Sequence, residues 1–195
     1  PTCRAALILE PNIAVGFLGG LIGAIDGDRV NKKASFLADK LGETIAVEGL
    51  TLIDDPLRKR GTGSSPFDSE GLATYKKKLV DRGRLELFLY DSYTARKVGV
   101  EPTASGRRGY ASPPSAGTFN FYVENGTVPV DSIWSNVDRA LVMTRGLGRG
   151  LNTVSGEYSR GANGLWIEKG EIVHPVQEVT VAGDYLEMLH NIDAL

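Results

Sequence analysis

The chain has 195 residues and is poor in the groups that hold metals or cross-link folds. Cys3 is its one cysteine, and His174 and His190 are its two histidines. A single thiol excludes an internal disulfide and a cysteine-based zinc cluster, and it points to a reducing, cytoplasmic setting. The histidines stand far apart in sequence, whereas a structural zinc site takes about four clustered ligands. His174, beside Pro175, reads as a surface residue at a strand end. His190 reads as a cation at a helix C-terminus, where the macrodipole favours it. Long apolar runs are lacking as well. The longest, Ile13 to Ile25, is diluted by Gly and Ala and is too short to span a bilayer. No basic flank or cleavage site marks a signal peptide. Nor is there an excess of charge of one sign: the formal net charge of −2 argues against nucleic-acid binding driven by bulk electrostatics. Core material is present, at 42% hydrophobic residues, enough for one sizeable domain.

Patterning predicts an α+β fold, mainly antiparallel sheet with several short helices and no βαβ rhythm. Arg4 to Leu9 is a strand candidate. Pro11-Asn12 opens a helix to about Ile25, with Ile13, Phe17, Leu18, Leu21, Ile22 and Ile25 at helical spacing. Gly16, Gly19, Gly20 and Gly23 each weaken that helix by up to ~1 kcal/mol relative to Ala, which requires close packing, as against a neighbouring backbone. Ala34 to Leu41 reads as a second helix stopped by Gly42. Ile45 to Val47 and Leu50 to Ile53 read as strands, and Leu57 to Gly71 as an exposed loop. Tyr75 to Val80 and Leu85 to Tyr90 form a hairpin around Asp81-Arg82-Gly83-Arg84. Asp91 or Ser92 caps a helix through Lys97, closed by Gly99. Glu101 to Gly117 is a second loop and Thr118 to Val123 a strand. Asp131 caps a helix over Ser132 to Arg139, followed by a strand over Ala140 to Thr144. Ser155 to Pro175 reads as an irregular Gly-rich loop feeding a hairpin. Leu165-Trp166-Ile167 is one arm, Glu168-Lys169-Gly170-Glu171 the turn, and Pro175 limits the return arm. Glu178 to Ala182 is a strand, and Asp184 caps a helix over Tyr185 to Ile192 with Glu187 placed for a capping box. The organisation is one domain over residues 1–195, with ends that look cut from a longer protein.

Catalytic signatures are sparse. No Gly-x-Ser-x-Gly elbow occurs. Gly146 to Gly150 lacks the Gly-Lys-Ser/Thr ending of a phosphate loop and reads as a turn between strands. Asp54, Asp55, Asp68 and Glu70 do not match a calcium loop and read as solvated loop acids. Arg58-Lys59-Arg60 and Arg107-Arg108 read as a solvated face, with a peptide-carboxylate or partner contact as the weaker alternative, and Trp134 and Trp166 as core anchors. An enzyme without zinc would need a perturbed carboxylate pair in a pocket, which nothing in the sequence suggests.

The segment Gly156-Glu-Tyr-Ser-Arg-Gly-Ala-Asn-Gly-Leu-Trp-Ile-Glu-Lys-Gly-Glu-Ile-Val-His-Pro-Val resembles the PmbA (TldE) branch of the TldD/PmbA family. So do Ser35-Phe-Leu-Ala-Asp-Lys-Leu-Gly, Gly63-Ser-Ser-Pro-Phe-Asp-Ser-Glu-Gly and Asp91-Ser-Tyr-Thr-Ala-Arg-Lys-Val-Gly, in the family's order. The resemblance covers nearly the whole chain. It implies the family's C-terminal domain, with the N-terminal domain and the extreme C-terminus lying outside this chain.

The family, first described as modulators of DNA gyrase, is a two-subunit zinc metallopeptidase that acts on peptides, in proteolysis and peptide maturation. Its TldD-type subunit carries a His-Glu-x-x-x-His helix before an acidic-Gly-Asp end, matched here by Asp26-Gly27-Asp28. That match sets Leu18 and Gly23 at the histidine positions and Gly19 at the glutamate position. None of the three binds zinc or polarises water. The resemblance thus implies a metal-free subunit, without cofactor and not catalytic alone. Its partners would be a zinc-bearing TldD-type peptidase subunit and a peptide, with self-association open and neither membrane nor direct nucleic-acid binding expected. Tyr158, Ser159, Arg160 and Gly161 are the candidate contacts with peptide or partner. A second class of function stays open: an interaction module acting on DNA gyrase or toxin–antitoxin components, with no proteolytic role.

Overall fold

Pro11 starts the first helix with a residue that has no N–H to leave unpaired. In the computed structural model, which describes residues 2–135 and 137–195, strand β1 (Ala6–Leu9) leads directly into helix α1 (Pro11–Ala24). α1 buries Phe17, Leu18, Leu21 and Ala24. Three of its four glycines pack on side chains, and none packs on a neighbouring backbone. A Cβ at Gly20 would stand 3.0 Å from Leu151 Cδ2, one at Gly23 3.5 Å from Thr153 Cγ2, and one at Gly16 3.8 Å from Arg160 Nη1. Gly19 alone of the four has nothing within 4 Å.

Asp26 then caps α2 (Gly27–Asn31), its carboxylate accepting from the N–H groups of Asp28 and Arg29. The helix expected over Ala34 to Leu41 does not form; that stretch is a series of turns. The Ser35 hydroxyl donates to the Ala24 carbonyl at 2.6 Å and accepts from the Leu37 N–H at 3.1 Å. A serine that engages nearby backbone in this way competes with helix formation.

Two four-stranded sheets follow. The first has the order β1-β8-β9-β10, built from β8 (Arg139–Leu147), β9 (Glu157–Glu168) and β10 (Glu171–Asp184). β1 runs parallel to β8, with Ala6 opposite Ala140, and the other pairs are antiparallel. The second sheet has the order β4-β3-β2-β7, from β2 (Leu52–Asp54), β3 (Lys77–Asp81), β4 (Arg84–Leu85) and β7 (Phe121–Val123). β5 (Gly106–Arg107) and β6 (Ser115–Ala116) form a small ribbon inside the second expected loop. Helix α3 (Ser92–Val98) has Asp91 as its cap and ends on Gly99 at φ 75°. Helix α4 (Val130–Ser135) is shorter than the helix expected as far as Arg139, because Arg139 is the first residue of β8. The cap expected from the Asp131 side chain lies outside the described residues. Asp184 caps helix α5 (Tyr185–His190) through the Glu187 N–H, while the Glu187 carboxylate accepts from Arg4 and does not close a capping box. His190 sits in the last turn of α5, as expected.

The distinctive segment is more regular than its glycines suggest. Residues 157–164, expected as a loop, belong to the twelve-residue strand β9. β10 does not stop at Pro175. It runs through it for 14 residues and takes in the expected strand over Glu178 to Ala182. β10 is an edge strand, where a residue without N–H costs no ladder bond, and a bulge at Glu178 (φ 55°) absorbs the register shift. The turn is as read: Lys169 at φ 51° and Gly170 at φ 80° give the left-handed pair that matches strand twist. His174 lies exposed within β10 and not at a strand end. In the hairpin around Asp81-Arg82-Gly83-Arg84 only Arg84–Leu85 forms the return strand, and Ile45 to Val47 form no strand.

The main core joins α1 to Leu37, Ile45, Leu50, Leu52, Leu79, Leu85, Leu89, Tyr158, Tyr185 and Leu189. Trp134 and Trp166 pack on two smaller clusters around Ala140 and Met143 of the first sheet.

Candidate functional site

Side chains alternate along β9, so Tyr158 and Arg160 share one face, and Ser159 and Gly161 the other. The Ser159 N–H donates to the Gly150 carbonyl at 3.0 Å, and Leu151 bridges to Tyr158, which brings residues 148–151 alongside β9. The result is a groove of about 300 Å³ between α1 and β9. Gly16, Phe17 and Gly20 line it from α1, Gly148 to Leu151 and Thr153 from the connecting loop, and Tyr158 and Arg160 from β9. The Gly146 to Gly150 stretch, read as a turn, is thus the end of β8 followed by one side of this groove.

Tyr158 is 3% exposed. Its ring meets Phe17 edge-on at 5.2 Å and stacks with Tyr185 at 6.2 Å. The neighbouring Tyr185 hydroxyl donates to the Phe17 carbonyl at 2.6 Å, and burial beside Tyr158 pushes that phenol far above its ordinary range. The Tyr158 hydroxyl is buried without a hydrogen-bond partner among the described residues. The Arg160 guanidinium lies against the β8 backbone: a Cβ at Gly146 would stand 2.3 Å from its Cζ and 2.4 Å from its Nε. Its Nε is likewise buried and unpartnered. Of the four contact candidates, Tyr158 and Arg160 meet at the groove. Ser159 is exposed on the other face, and Gly161 packs on Leu147.

The three metal-helix positions lie on α1. Leu18 is 4% exposed and part of the core, Gly19 has open space beside it, and Gly23 faces Thr153. A core leucine and two glycines offer no donor atom, so these positions do not fit a zinc ion. Among the described residues no three His, Cys, Asp or Glu side chains gather where they could hold a metal.

The loop acids are not all solvated. Asp54 and Lys77 are buried side by side, with Lys77 Nζ 3.6 Å from Asp54 Oδ2. Asp54 Oδ1 accepts from the Phe119 and Asn120 N–H groups at 2.7 and 3.0 Å, and Lys77 donates to the Ala104 carbonyl at 3.3 Å. Asp68 is buried too, accepting from Glu70, Leu72 and Gly106 N–H groups. Burial raises the Asp54 carboxyl and lowers the Lys77 ammonium, and their mutual attraction opposes both shifts. These bonds end on backbone: Asp54 and Lys77 tie the second sheet to residues 119–120 and 104, and Asp68 ties the first long loop to the second. Arg58 and Arg107 of the basic clusters lie over the Tyr122 and Phe119 rings at 4.5 and 4.6 Å, so part of that face is packed on aromatics. The buried Asp54–Lys77 pair gave no sequence signal, because its backbone partners lie 27 to 66 residues away along the chain.

The family described as PmbA/TldA metallopeptidase C-terminal domain matches residues 2–195. The chain is similar to Metalloprotease PmbA of Escherichia coli O157:H7, at 37% identity over 98% of this chain and 40% of that protein. It is similar to the Metalloprotease TldD homolog of Buchnera aphidicola subsp. Acyrthosiphon pisum, at 31% identity over 86% of this chain and 35% of that protein. The crystal structure of TldE from Thermococcus kodakarensis matches it with a TM-score of 0.88 at 30% identity, over 97% of this chain and 44% of that one. The chain therefore spans about two fifths of the length of the curated PmbA relative it matches. No helix among the described residues is long and apolar enough to cross a membrane. The α+β architecture and the match along residues 2–195 agree, and the chain belongs to the PmbA/TldA metallopeptidase C-terminal domain family.

Proposed function

We propose that this domain is part of a metal-free, PmbA-type subunit of a cytoplasmic peptidase whose zinc and catalytic groups sit on a TldD-type partner. The observation that carries the reading is α1. Where the peptidase subunit needs two histidines and a glutamate, this chain has Leu18 turned into the core, Gly23 and Gly19. Such a helix supplies packing and no general base. The subunit's work is then to complete the chamber and hold an extended peptide, with main-chain pairing giving affinity that does not depend on sequence. The groove beside α1, with Tyr158 and Arg160, supports a contact with peptide. Similarity to proteins named for both branches supports a partner of the TldD type.

The test is peptide hydrolysis by the purified chain, by a TldD-type subunit and by the two together, each with added zinc. The reading expects hydrolysis only when the TldD-type subunit is present, increased by this chain. Hydrolysis by this chain alone would overturn it. Stable binding to DNA gyrase without any peptidase partner would favour the interaction-module alternative.

A further inference from the structure

We propose that the groove between α1 and β9 is a carboxylate-binding subsite, in which the Arg160 guanidinium and the Tyr158 hydroxyl receive a carboxylate of a bound peptide. This subsite rests on the reading of the chain as a peptide-handling subunit.

Two independent features point to an anion. First, the polar atoms are built in and left idle. The Tyr158 side chain is almost wholly buried, yet its hydroxyl has no partner among the described residues, and the same holds for Arg160 Nε. Folded proteins pair nearly all such groups, and both residues line the groove, so these two donors mark a place for an acceptor. Second, the charge is one-sided. The two charged residues lining the groove are Arg149 and Arg160, and no carboxylate lines it. Neither arginine forms an ion pair among the described residues, although the chain as a whole carries a net charge of −2.

The site is also shaped for a guanidinium. Gly146 leaves the space in which Arg160 lies, and any side chain there would occupy the same volume. An arginine held in one plane presents its donors as a fork that matches a carboxylate bidentately. The volume of about 300 Å³ is at the low end for a ligand pocket, enough for one end of a peptide or one acidic side chain. The carboxylate could come from a peptide C-terminus or from an Asp or Glu side chain, and the probes below separate the two.

The test is calorimetric titration of the full chain with N-acetyl-trialanine as free acid, the same peptide as its C-terminal amide, and N-acetyl-Ala-Glu-Ala amide. At least one acidic probe should bind, and the neutral amide should bind about tenfold or more weakly, the scale of a lost charge-assisted hydrogen-bonded pair. The acid that binds best names the source. Arg160→Gln should remove the preference for acid over amide. Tyr158→Phe keeps the ring in its aromatic cluster and deletes a hydroxyl with no partner among the described residues, so it should fold as the parent does and still bind the acid several-fold more weakly. Equal binding of all three probes, binding of none, or unchanged affinity in Tyr158→Phe would overturn the subsite. A working complex with no acid preference removes the subsite alone. Retained acid preference with no TldD-type partner removes the functional reading alone.

Discussion

Two residues carry most of what this chain does not reveal as text. Tyr158 sits in a segment that reads as a Gly-rich loop, but its side chain is 3% exposed and its hydroxyl has no partner among the described residues. A buried hydroxyl without a partner costs stability, so Tyr158→Phe should leave the unliganded protein equally stable or up to ~1 kcal/mol more stable, as read by urea unfolding. Lys77 is the other. Removing one member of a buried ion pair strands the other, so Lys77→Met should cost roughly 3–5 kcal/mol at neutral pH. Asp54→Asn in the same chain should recover much of that loss, since an amide oxygen can still accept from Phe119 and Asn120. The pH dependence has a definite sign. Burial already raises the Asp54 carboxyl and Lys77 pulls it down, so losing Lys77 raises it further. A carboxyl raised on folding favours the fold below its unfolded pKa, and that contribution is lost as pH rises through the folded value. The cost of Lys77→Met should therefore shrink as pH falls toward about 4 in unfolding experiments. Asp54 read as a solvated acid because its partners, Phe119 and Asn120, are remote in sequence and the polar loop around it carried the only local signal.

At the scale of elements, what local chemistry specifies was legible and what tertiary context decides was not. α1, the cap at Asp91, the αL end at Gly99 and the Lys169-Gly170 turn all follow from nearby residues. The turns over 34–41 in place of a helix depend on Ser35 reaching Ala24, and the passage of β10 through Pro175 depends on its place at a sheet edge. The groove itself forms where α1, residues 148–151 and β9 meet, which no periodicity marks. The glycines of α1 make a graded prediction. A Cβ at Gly19 meets nothing within 4 Å, so Gly19→Ala should stabilise the helix by roughly 0.5–1 kcal/mol. At Gly20 a Cβ would press on Leu151 Cδ2 at 3.0 Å, so Gly20→Ala should gain less or lose. Thermal unfolding of the two variants checks the order.

For the whole molecule, family membership rests on the match along residues 2–195, while the proposed division of labour between subunits rests on α1. The chain spans about two fifths of the length of the PmbA relative it matches. Zinc content, measured on this chain purified alone and in complex with a TldD-type subunit, tests the central claim most directly. The account predicts sub-stoichiometric zinc on the chain alone and zinc that travels with the partner. One tightly bound zinc per chain in the absence of any partner would contradict it.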